Sequence, residues 1–266
     1  MPSTTSTPLT LTHIGGPTVL IEYAGLRIVS DPAFDPAGSK YKVSGLLPLK
    51  KTTDPAIRFD KIGTVDAVLV SHHHHADNFD KAGRKLAKTV LGQENGAVFT
   101  TPQGAKTLTG ATGLNTWQSA EIDAPAGTVT ITAAPAKHAH GIVAPIAGPV
   151  TGFILSSPAL PTLYISGDNI SAKATAQVAE RFNVDVAILH AGAPKFTATG
   201  PIAFCMTAKQ VANAVETLGK PNTLVVHSDG WNHFSETAAD VVAAFERSPV
   251  AKARIVAPLG KAVTLK

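Results

Sequence analysis

The sequence feature that most constrains the fold is an internal run of four histidines, positions 72–75, followed by Asp77 and Asn78. An apolar stretch with β-branched residues, Asp66–Val70, precedes the run and is typical of a short buried strand. After it, apolar side chains recur at helical spacing over residues 79–90. The run therefore lies where a strand gives way to a helix, which is where open α/β sheets usually place their ligands.

Imidazoles beside a carboxylate are the borderline ligands that transition metals bind. A histidine run can also be a solvated loop or part of an expression tag, and Asp77 can be an ordinary helix N-cap. Tags normally lie at a terminus, whereas this run is internal and framed by regular structure. We therefore interpret the run as part of a metal site.

Composition narrows the setting of such a site. The 266 residues are 44% hydrophobic and 16% charged, which is ordinary for a globular protein, and the net charge is only +4. No basic run stands out, so we expect a small-molecule substrate and no nucleic acid. Segment Met1–Pro8 lacks the features of a secretory signal and no apolar run could cross a bilayer, so we expect a cytoplasmic protein without a membrane partner. Association into a homo-oligomer is left open.

The first part of the chain has the pattern of a β-meander, with three strands joined by tight turns at residues 9–13, 18–23 and 26–30. A segment rich in Gly, Pro and Lys then runs from Asp31 to about Gly63, and a loop of that length is often a lid or a pocket wall. Asp31 is a candidate for supporting a metal ligand. His13 is interpreted as a core or supporting histidine.

The later part of the chain alternates strands with helices. A helix is predicted over residues 171–182, Thr207 and Gln210 form a capping box for the next helix, and Ser235 is interpreted as the cap of the last one. The single cysteine, Cys205, excludes an internal disulfide and is interpreted as a small buried hydrophobe. No linker divides the chain, so we predict one α/β domain over residues 1–266.

Polar residues recur at one structural place, the end of an apolar strand or one step beyond it. These residues are the histidine run with Asp77, then His138 or His140, Asp168, and His227. One such residue alone is more often a packed core residue, but four positions of these types make coincidence a poor explanation. Glycine before Asp168 permits close backbone approach, and an aspartate there can bridge two cations. His190 also ends a strand and is interpreted as core or pocket wall.

This order of elements and motifs resembles the metallo-β-lactamase superfamily over nearly the whole chain. In detail it is similar to the branch around L-ascorbate-6-phosphate lactonase. The matching segments are Thr12–Gly16, Ser30–Pro32, Ser71–His72, Asp77–Asp80, Pro135–His138, Thr151–Phe153, Gly167–Asp168, Val226–His227 and Gly230–Phe234. The resemblance implies a four-layer αββα sandwich with a one- or two-metal site at one edge of the two sheets.

The resemblance also implies two sets of metal ligands. The first set is His75, His138 and either His72 or His73. The second set is Asp77, Asp168 and His227, with Asp168 bridging. Counting back from Asp77 favours His73, whereas the Ser71-His72 pair with a bulge favours His72. The Pro-Ala-x-His spacing favours His138 over His140.

One residue departs from the family pattern, which usually has histidine directly after the aspartate where this chain has Asn78. A neutral amide is a far poorer ligand than imidazole for a borderline metal. We therefore expect one or two divalent ions, with zinc as the first choice and manganese or iron as alternatives. The second ion is expected to bind weakly or not at all.

The implied function is metal-dependent hydrolysis, in which a metal-activated water attacks a small ester, lactone or phosphoester. Asp77 would orient that water or take its proton. Trp231 and His233 would contact the substrate, and His233 would protonate the leaving group, although both can also be packing residues. Alternatives are a nuclease or phosphodiesterase of the same superfamily, which the 6% aromatic content does not favour, and a catalytically weak metal-binding protein.

Overall fold

The computed structural model describes residues 8–42, 48–158, 160–195 and 202–265. Most of the N-terminal segment examined for a signal, residues 1–7, lies outside these ranges, and so does part of the loop after Asp31, residues 43–47. Among the helices of the described ranges, none has the length and apolar character needed to cross a membrane.

Strands dominate the described part of the chain. They are β1 (Leu9–Gly15), β2 (Thr18–Tyr23), β3 (Leu26–Ser30), β4 (Lys40–Tyr41), β5 (Leu49–Lys50), β6 (Ala67–Leu69), β7 (Ala97–Thr100), β8 (Thr112–Gly113), β9 (Ser119–Ile122), β10 (Val129–Pro135), β11 (Thr151–Ser156), β12 (Leu163–Ile165), β13 (Val186–His190), β14 (Asn222–Val226) and β15 (Ala262–Leu265). The helices are α1 (Lys81–Leu91), α2 (Pro102–Thr107), α3 (Ala144–Ala147), α4 (Ala172–Arg181), α5 (Ala208–Thr217) and α6 (Ala238–Glu246).

Two mixed sheets organise these elements. The first has the strand order β15-β1-β2-β3-β6-β7-β8 and the second the order β14-β13-β12-β11-β10-β9, while β4 and β5 form a small separate pair. The run β3-β6-β7-β8 is parallel, as is the run β12-β13-β14. Because parallel strands end at the same edge of a sheet, each sheet gathers the residues that follow these strands at one edge.

Alternation of side chains along the strands explains the layers. In β2, Val19 and Ile21 are buried in the core between the sheets, whereas Leu20 faces the layer that contains α1. In β13, Ile188 belongs to the central core and Leu189 packs on the opposite face with residues of α4, α5 and α6. The chain is thus a helix–sheet–sheet–helix sandwich, which confirms the predicted α/β class.

The N-terminus of α1 is capped by Asp80, which leaves the Asp77 carboxylate available to a metal site. The Asp80 carboxylate caps this helix by accepting a hydrogen bond from the Gly83 backbone N–H at 2.8 Å. Leu86 and Val90 then lie on its buried face, as the spacing predicts. Asp77 precedes the helix by a full turn of chain, so its carboxylate is not used as a cap.

The two later caps differ in how well they were predicted. The capping box of Thr207 and Gln210 at α5 is confirmed. The prediction that Ser235 caps α6 is wrong, because Thr237 and Asp240 form that capping box. The Ser235 hydroxyl instead donates to the Ala193 carbonyl at 2.6 Å.

Backbone contacts join the ligand-bearing edges of the two sheets. The Thr151 N–H donates to the Ser71 carbonyl at 3.0 Å, and the His227 N–H donates to the Gly16 carbonyl at 2.8 Å. Gly167 has φ of +56°, and a Cβ there would lie 2.7 Å from the Thr151 oxygen and 2.8 Å from Ser71 Cβ. Only glycine fits this approach, which sets Asp168 against the strand end that carries the histidine run.

Candidate metal centre

Three histidines from two loops converge at this edge, and we call them the histidine group: His72, His75 and His138. His72 and His75 follow β6, and His138 follows β10. His75 Nδ1 lies 3.1 Å from His72 Nε2 and 2.9 Å from His138 Nε2. Their ring nitrogens therefore point at one common position.

In two of these rings, the nitrogen that faces away from the common position contacts a neighbouring oxygen. His138 Nδ1 donates to the Phe204 carbonyl at 2.5 Å, and because a carbonyl can only accept, this bond fixes the proton on Nδ1. His72 Nδ1 lies 2.9 Å from the Ser71 hydroxyl. The His138 Nε2 lone pair is thus directed at the common position, as in sites where an outer hydrogen bond orients a metal-binding imidazole.

The histidine group has the chemistry of a cation site. Burial and then the neighbouring His138 lower the pKa of His75 to about 3, and the same two causes hold the pKa of His72 well below its usual range. Three neutral imidazoles cannot satisfy both short contacts to His75 Nδ1, because that atom cannot donate to one ring and accept from the other at once. Nitrogens bound tetrahedrally to one zinc ion lie roughly 3.3 Å apart, close to the spacing seen here.

A second cluster, the Asp168 group, consists of Asp168, Cys205 and His227, whose ligand atoms lie within 4.8 Å of one another. All three residues are buried. Asp168 Oδ1 lies 3.5 Å from His227 Nδ1 and 3.8 Å from Cys205 Sγ. The Asp168 group therefore combines a carboxylate, a thiol and an imidazole around a small space.

The Asp168 carboxylate faces both clusters. Its Oδ2 lies 3.9 Å from His72 Nε2 and 3.7 Å from His138 Nε2, while its Oδ1 faces the Asp168 group. Burial alone would raise the pKa of Asp168, but the charge of His227 and the hydrogen bond from His190 outweigh burial and hold it well below its usual range. An ionised carboxylate with one oxygen toward each cluster has the geometry of a bridging ligand.

Asp77 lies on the other side of His227. Asp77 Oδ2 is 3.5 Å from His227 Nε2 and 2.9 Å from His233 Nε2. Burial would raise the pKa of Asp77, but the close approach of His227 and the hydrogen bond from His233 outweigh it and hold the pKa well below its usual range. Among the described residues, Asp77 Oδ1 and both ring nitrogens of His227 have no hydrogen-bond partner.

The backbone at this edge is strained. His227 has φ of +62° and Asp31 has φ of +40°, values that side-chain-bearing residues rarely adopt. Strain of this kind costs on the order of 1–3 kcal/mol per residue and is concentrated at functional sites. In both cases the unusual conformation turns a ligand or its supporting residue toward the clusters.

Two residues, His190 and Cys205, lie closer to the site than the sequence predicted. His190, interpreted as core or pocket wall, donates from Nδ1 to Asp168 Oδ1 at 2.9 Å, and its Nε2 lies 3.7 Å from Asp31 Oδ2. Asp31 supports the site as expected, since its Oδ1 accepts from the Ser71 N–H at 2.7 Å. Cys205 is buried as expected, but it faces Asp168 and not apolar neighbours alone. The signal for His190 was present, because it ends a strand like the other site residues.

Of the alternatives left open, the structure brings His72 and His138 into the clusters. His73 is not in either cluster, and its carbonyl accepts a hydrogen bond from Arg84. The His74 ring is held by the Ala147 carbonyl at 2.6 Å, and His140 is exposed. The alternate-residue spacing that favoured His73 fails because β6 ends at Leu69, before the histidine run begins.

Asn78 occupies the place of the expected histidine. It is fully buried, and its Nδ2 donates to Asp168 Oδ1 at 3.3 Å. The amide therefore supports the carboxylate that both clusters share.

A cavity of about 580 Å³ opens beside His75. Its lining includes four basic residues, Lys40, Lys42, Lys81 and Arg84. Trp231 is not among the described lining residues; it is 5% exposed and packs against Tyr41, with ring centroids 5.7 Å apart. That burial leaves the Trp231 ring little surface for the substrate contact that the sequence predicts.

A family model described as a beta-lactamase superfamily domain matches residues 26–228, which is more than half of the chain. A comparison with curated proteins found no significant match.

Several solved structures share the fold. A possible metal-dependent hydrolase from Veillonella parvula DSM 2008 is 20% identical with a TM-score of 0.83, over 97% of this chain and 100% of that chain. Isothiocyanate hydrolase from Delia radicum gut bacteria is 18% identical with a TM-score of 0.80, over 96% and 99% of the two chains. CmlA, a diiron β-hydroxylase from Streptomyces venezuelae, is 15% identical with a TM-score of 0.64, over 97% of this chain and 54% of that chain.

Proposed function

Because the chain belongs to the metallo-β-lactamase superfamily, we propose that it is a metal-dependent hydrolase acting on a small ester, lactone or phosphoester. The observation that carries this proposal is the convergence of the histidine group on one position with the Asp168 carboxylate facing it. A divalent ion held there supplies a Lewis acid and lowers the pKa of a water molecule. Zinc is the expected ion, and the likeness to a diiron enzyme keeps iron as an alternative.

The residues of the chain would divide the remaining work. Asp77 is ionised and its Oδ1 has no hydrogen-bond partner in the described ranges, so we assign it to orienting the attacking water. His233 contacts the same carboxylate through Nε2 at 2.9 Å. We assign His233 to passing a proton to the leaving group, because a histidine paired with a carboxylate is a common general acid. Trp231 would act by holding this loop in place.

The cavity beside His75 favours a substrate with a negatively charged group. Three of its four cations, Lys40, Lys42 and Lys81, are exposed. Among the described lining residues the one carboxylate, Asp80, accepts hydrogen bonds from the backbone N–H groups of Asp35 and Gly83 and lies 3.8 Å from Lys51 Nζ. Because that carboxylate is already engaged, the cavity presents positive charge to a ligand that approaches His75.

Finer assignments are proposals that rest on sequence. The motif set favours the lactonase-like branch. Because one of the similar structures is an isothiocyanate hydrolase, an isothiocyanate is a further substrate to test. A single domain over residues 1–266, a cytoplasmic location and a small-molecule partner complete the proposed description. A nuclease would instead need extended contacts with a nucleic acid backbone.

The test is a hydrolysis assay on metal-analysed protein with anionic and neutral versions of each ester, lactone and phosphoester, alongside an isothiocyanate and a single-stranded RNA. We expect metal-dependent turnover of an anionic small molecule. Replacing Lys40 and Lys42 with Gln should raise KM for the anionic substrate about 10-fold and leave neutral analogues unchanged, whereas Lys252→Gln on an exposed distant site should change neither. Full metal loading without hydrolysis of any substrate would contradict the proposal in favour of a metal-binding protein.

A further inference from the structure

The Asp168 group contains a thiol that has no assigned role. Cys205 Sγ lies 3.8 Å from Asp168 Oδ1 and within 4.8 Å of a ring nitrogen of His227. Cys205 and His227 are 0% exposed and Asp168 is 1% exposed. A thiolate, a carboxylate and an imidazole at such distances are a ligand set for a borderline metal ion.

The unpartnered nitrogens of His227 point independently to a missing ligand. Both lack a hydrogen-bond partner in the described ranges although the residue is fully buried. Native proteins rarely leave a buried polar group without a hydrogen-bond partner, because nothing then compensates for the loss of its contact with water. A cation on one nitrogen would satisfy the ring.

The two sides of the His227 ring offer different neighbours. Nδ1 lies 3.5 Å from Asp168 Oδ1, on the side of Cys205, and Nε2 lies 3.5 Å from Asp77 Oδ2. If Nδ1 binds the ion, Nε2 carries the proton and donates it toward Asp77. That is the arrangement in which a carboxylate orients a metal-binding imidazole from behind.

We propose that Cys205 is a metal ligand, and that it completes the second cation site of the Asp168 group together with Asp168 and His227 Nδ1. When the ion binds, the S–H bond of Cys205 breaks, a sulfur–metal bond forms and the proton leaves to solvent. The thiolate then adds a negative charge to that of the Asp168 carboxylate, which the two sites share. The proposal rests on the proposed metal-dependent function and goes beyond it by adding a thiolate where the family-like ligand set has none.

The single cysteine makes this site directly observable. Untagged, full-length protein is stripped with a chelator and titrated with Co²⁺ while its absorption spectrum is recorded. A thiolate bound to Co²⁺ adds an intense near-ultraviolet charge-transfer band that imidazole and carboxylate ligands do not give. We expect this band to grow with the second equivalent of bound Co²⁺.

Three variants test whether the charge-transfer band comes from Cys205 bound to Co²⁺ in the Asp168 group. Cys205→Ser should remove the band and weaken the second equivalent by about 100-fold or more while the first still binds. His227→Ala should weaken the band although the thiol is present, and His140→Ala, which changes an exposed histidine outside both clusters, should leave it unchanged. Circular dichroism and thermal melting of each apo variant check that it is folded.

The outcomes separate this inference from the proposed function. Two bound Co²⁺ ions without the band, or one ion without it, would overturn the role of Cys205 and leave metal-dependent hydrolysis standing. If wild-type protein binds no Co²⁺ at all, both proposals fail. If Cys205→Ser does not fold, the band in wild-type protein and its dependence on His227 still decide the question.

Discussion

The histidine group and the Asp168 group lie on either side of one carboxylate, yet they are prepared for a cation in opposite ways. In the histidine group, burial keeps the pKa of His75 near 3. His75 is therefore neutral and ready to bind a cation. In the Asp168 group, burial would lower the pKa of His227, but the charges of Asp168 and Asp77 outweigh it and raise the pKa to about 9.

The difference teaches that burial controls the protonation of His75 in one group, whereas neighbouring carboxylates control the protonation of His227 in the other. The histidine group needs only to exclude water from its rings. In the Asp168 group, His227 lies between the buried carboxylates of Asp168 and Asp77, and without an ion it must hold a proton to offset their charge. The two sites should therefore differ in affinity, pH dependence and tolerance of mutation.

Removing the shared carboxylate should have the largest effect. Asp168→Ala takes away the oxygen that faces each cluster, so we expect both ions to be lost and turnover to fall roughly 1000-fold or more, since loss of even a supporting partner costs 10–100-fold. Metal analysis with a steady-state assay measures this. His138→Ala should remove the first ion only, and a variant of Asp168 that retains both ions would show that the two groups are independent.

Removing the negative charge of the buried Asp31 carboxylate should stabilise the metal-free protein. Burial raises the pKa of Asp31 to about 6, above its unfolded value of 3.8. The free energy of unfolding of the wild-type protein therefore decreases as the pH rises from 3.8 through 6, where the buried carboxyl loses its proton. Asp31→Asn keeps an acceptor for the Ser71 N–H and tolerates positive φ. We expect it to add about 3 kcal/mol at most to the free energy of unfolding at pH 8 and nothing below pH 4.

Urea denaturation of chelated protein at both pH values measures this change. Asp123→Asn, at an exposed aspartate, is the control and should leave the unfolding free energy unchanged. An Asp31→Asn variant that is less stable than wild type at pH 8 would show that the carboxylate is needed for its contacts more than it is penalised for its charge.

Much of the fold could be predicted because local sequence patterns mark most of the longer strands and the main helices. Buried strands such as β6 read as apolar β-branched runs, and the α5 capping box has a defined spacing. The short strand β8 and the helix α2 were not predicted, since two- and six-residue elements depend on tertiary contacts more than on pattern. The cap at Ser235 failed because Thr237, two residues on, offered the same chemistry.

The site could be predicted only as far as strand ends mark it. The sequence placed His138, Asp168 and His227 at one edge because each follows an apolar strand. It could not choose between His72 and His73, since that choice depends on where β6 ends and how the chain turns. No sequence pattern marked Cys205, because its place near Asp168 depends on contacts between distant residues, such as the backbone hydrogen bonds from Ala193 to Met206 and from Phe204 to Pro194.

The pH dependence of metal binding should distinguish the two groups. Below pH 9 an ion must displace the His227 proton and also the thiol proton of the proposed ligand Cys205, so affinity for the second ion should rise about 100-fold per pH unit between pH 6 and 8. Binding to His75 releases no proton in that range, so affinity for the first ion should stay nearly constant. Isothermal titration of chelated protein in buffers of different ionisation enthalpy counts the protons released. Equal pH slopes for both ions would remove the distinction between the groups.

The smallest expected effect belongs to Asn78, which contacts Asp168 without being a ligand. Its Nδ2 holds Asp168 Oδ1, the oxygen on the side of the Asp168 group, at 3.3 Å. Asn78→Ala should therefore lower affinity for the second ion about 10-fold and leave the first unchanged, since outer partners of ligands contribute 10–100-fold. Asn115→Ala, at an exposed asparagine, is the matched control. If Asn78→Ala weakened both ions equally, the amide would be orienting the whole carboxylate, and Asp168 would couple the two groups more tightly than their different charges suggest.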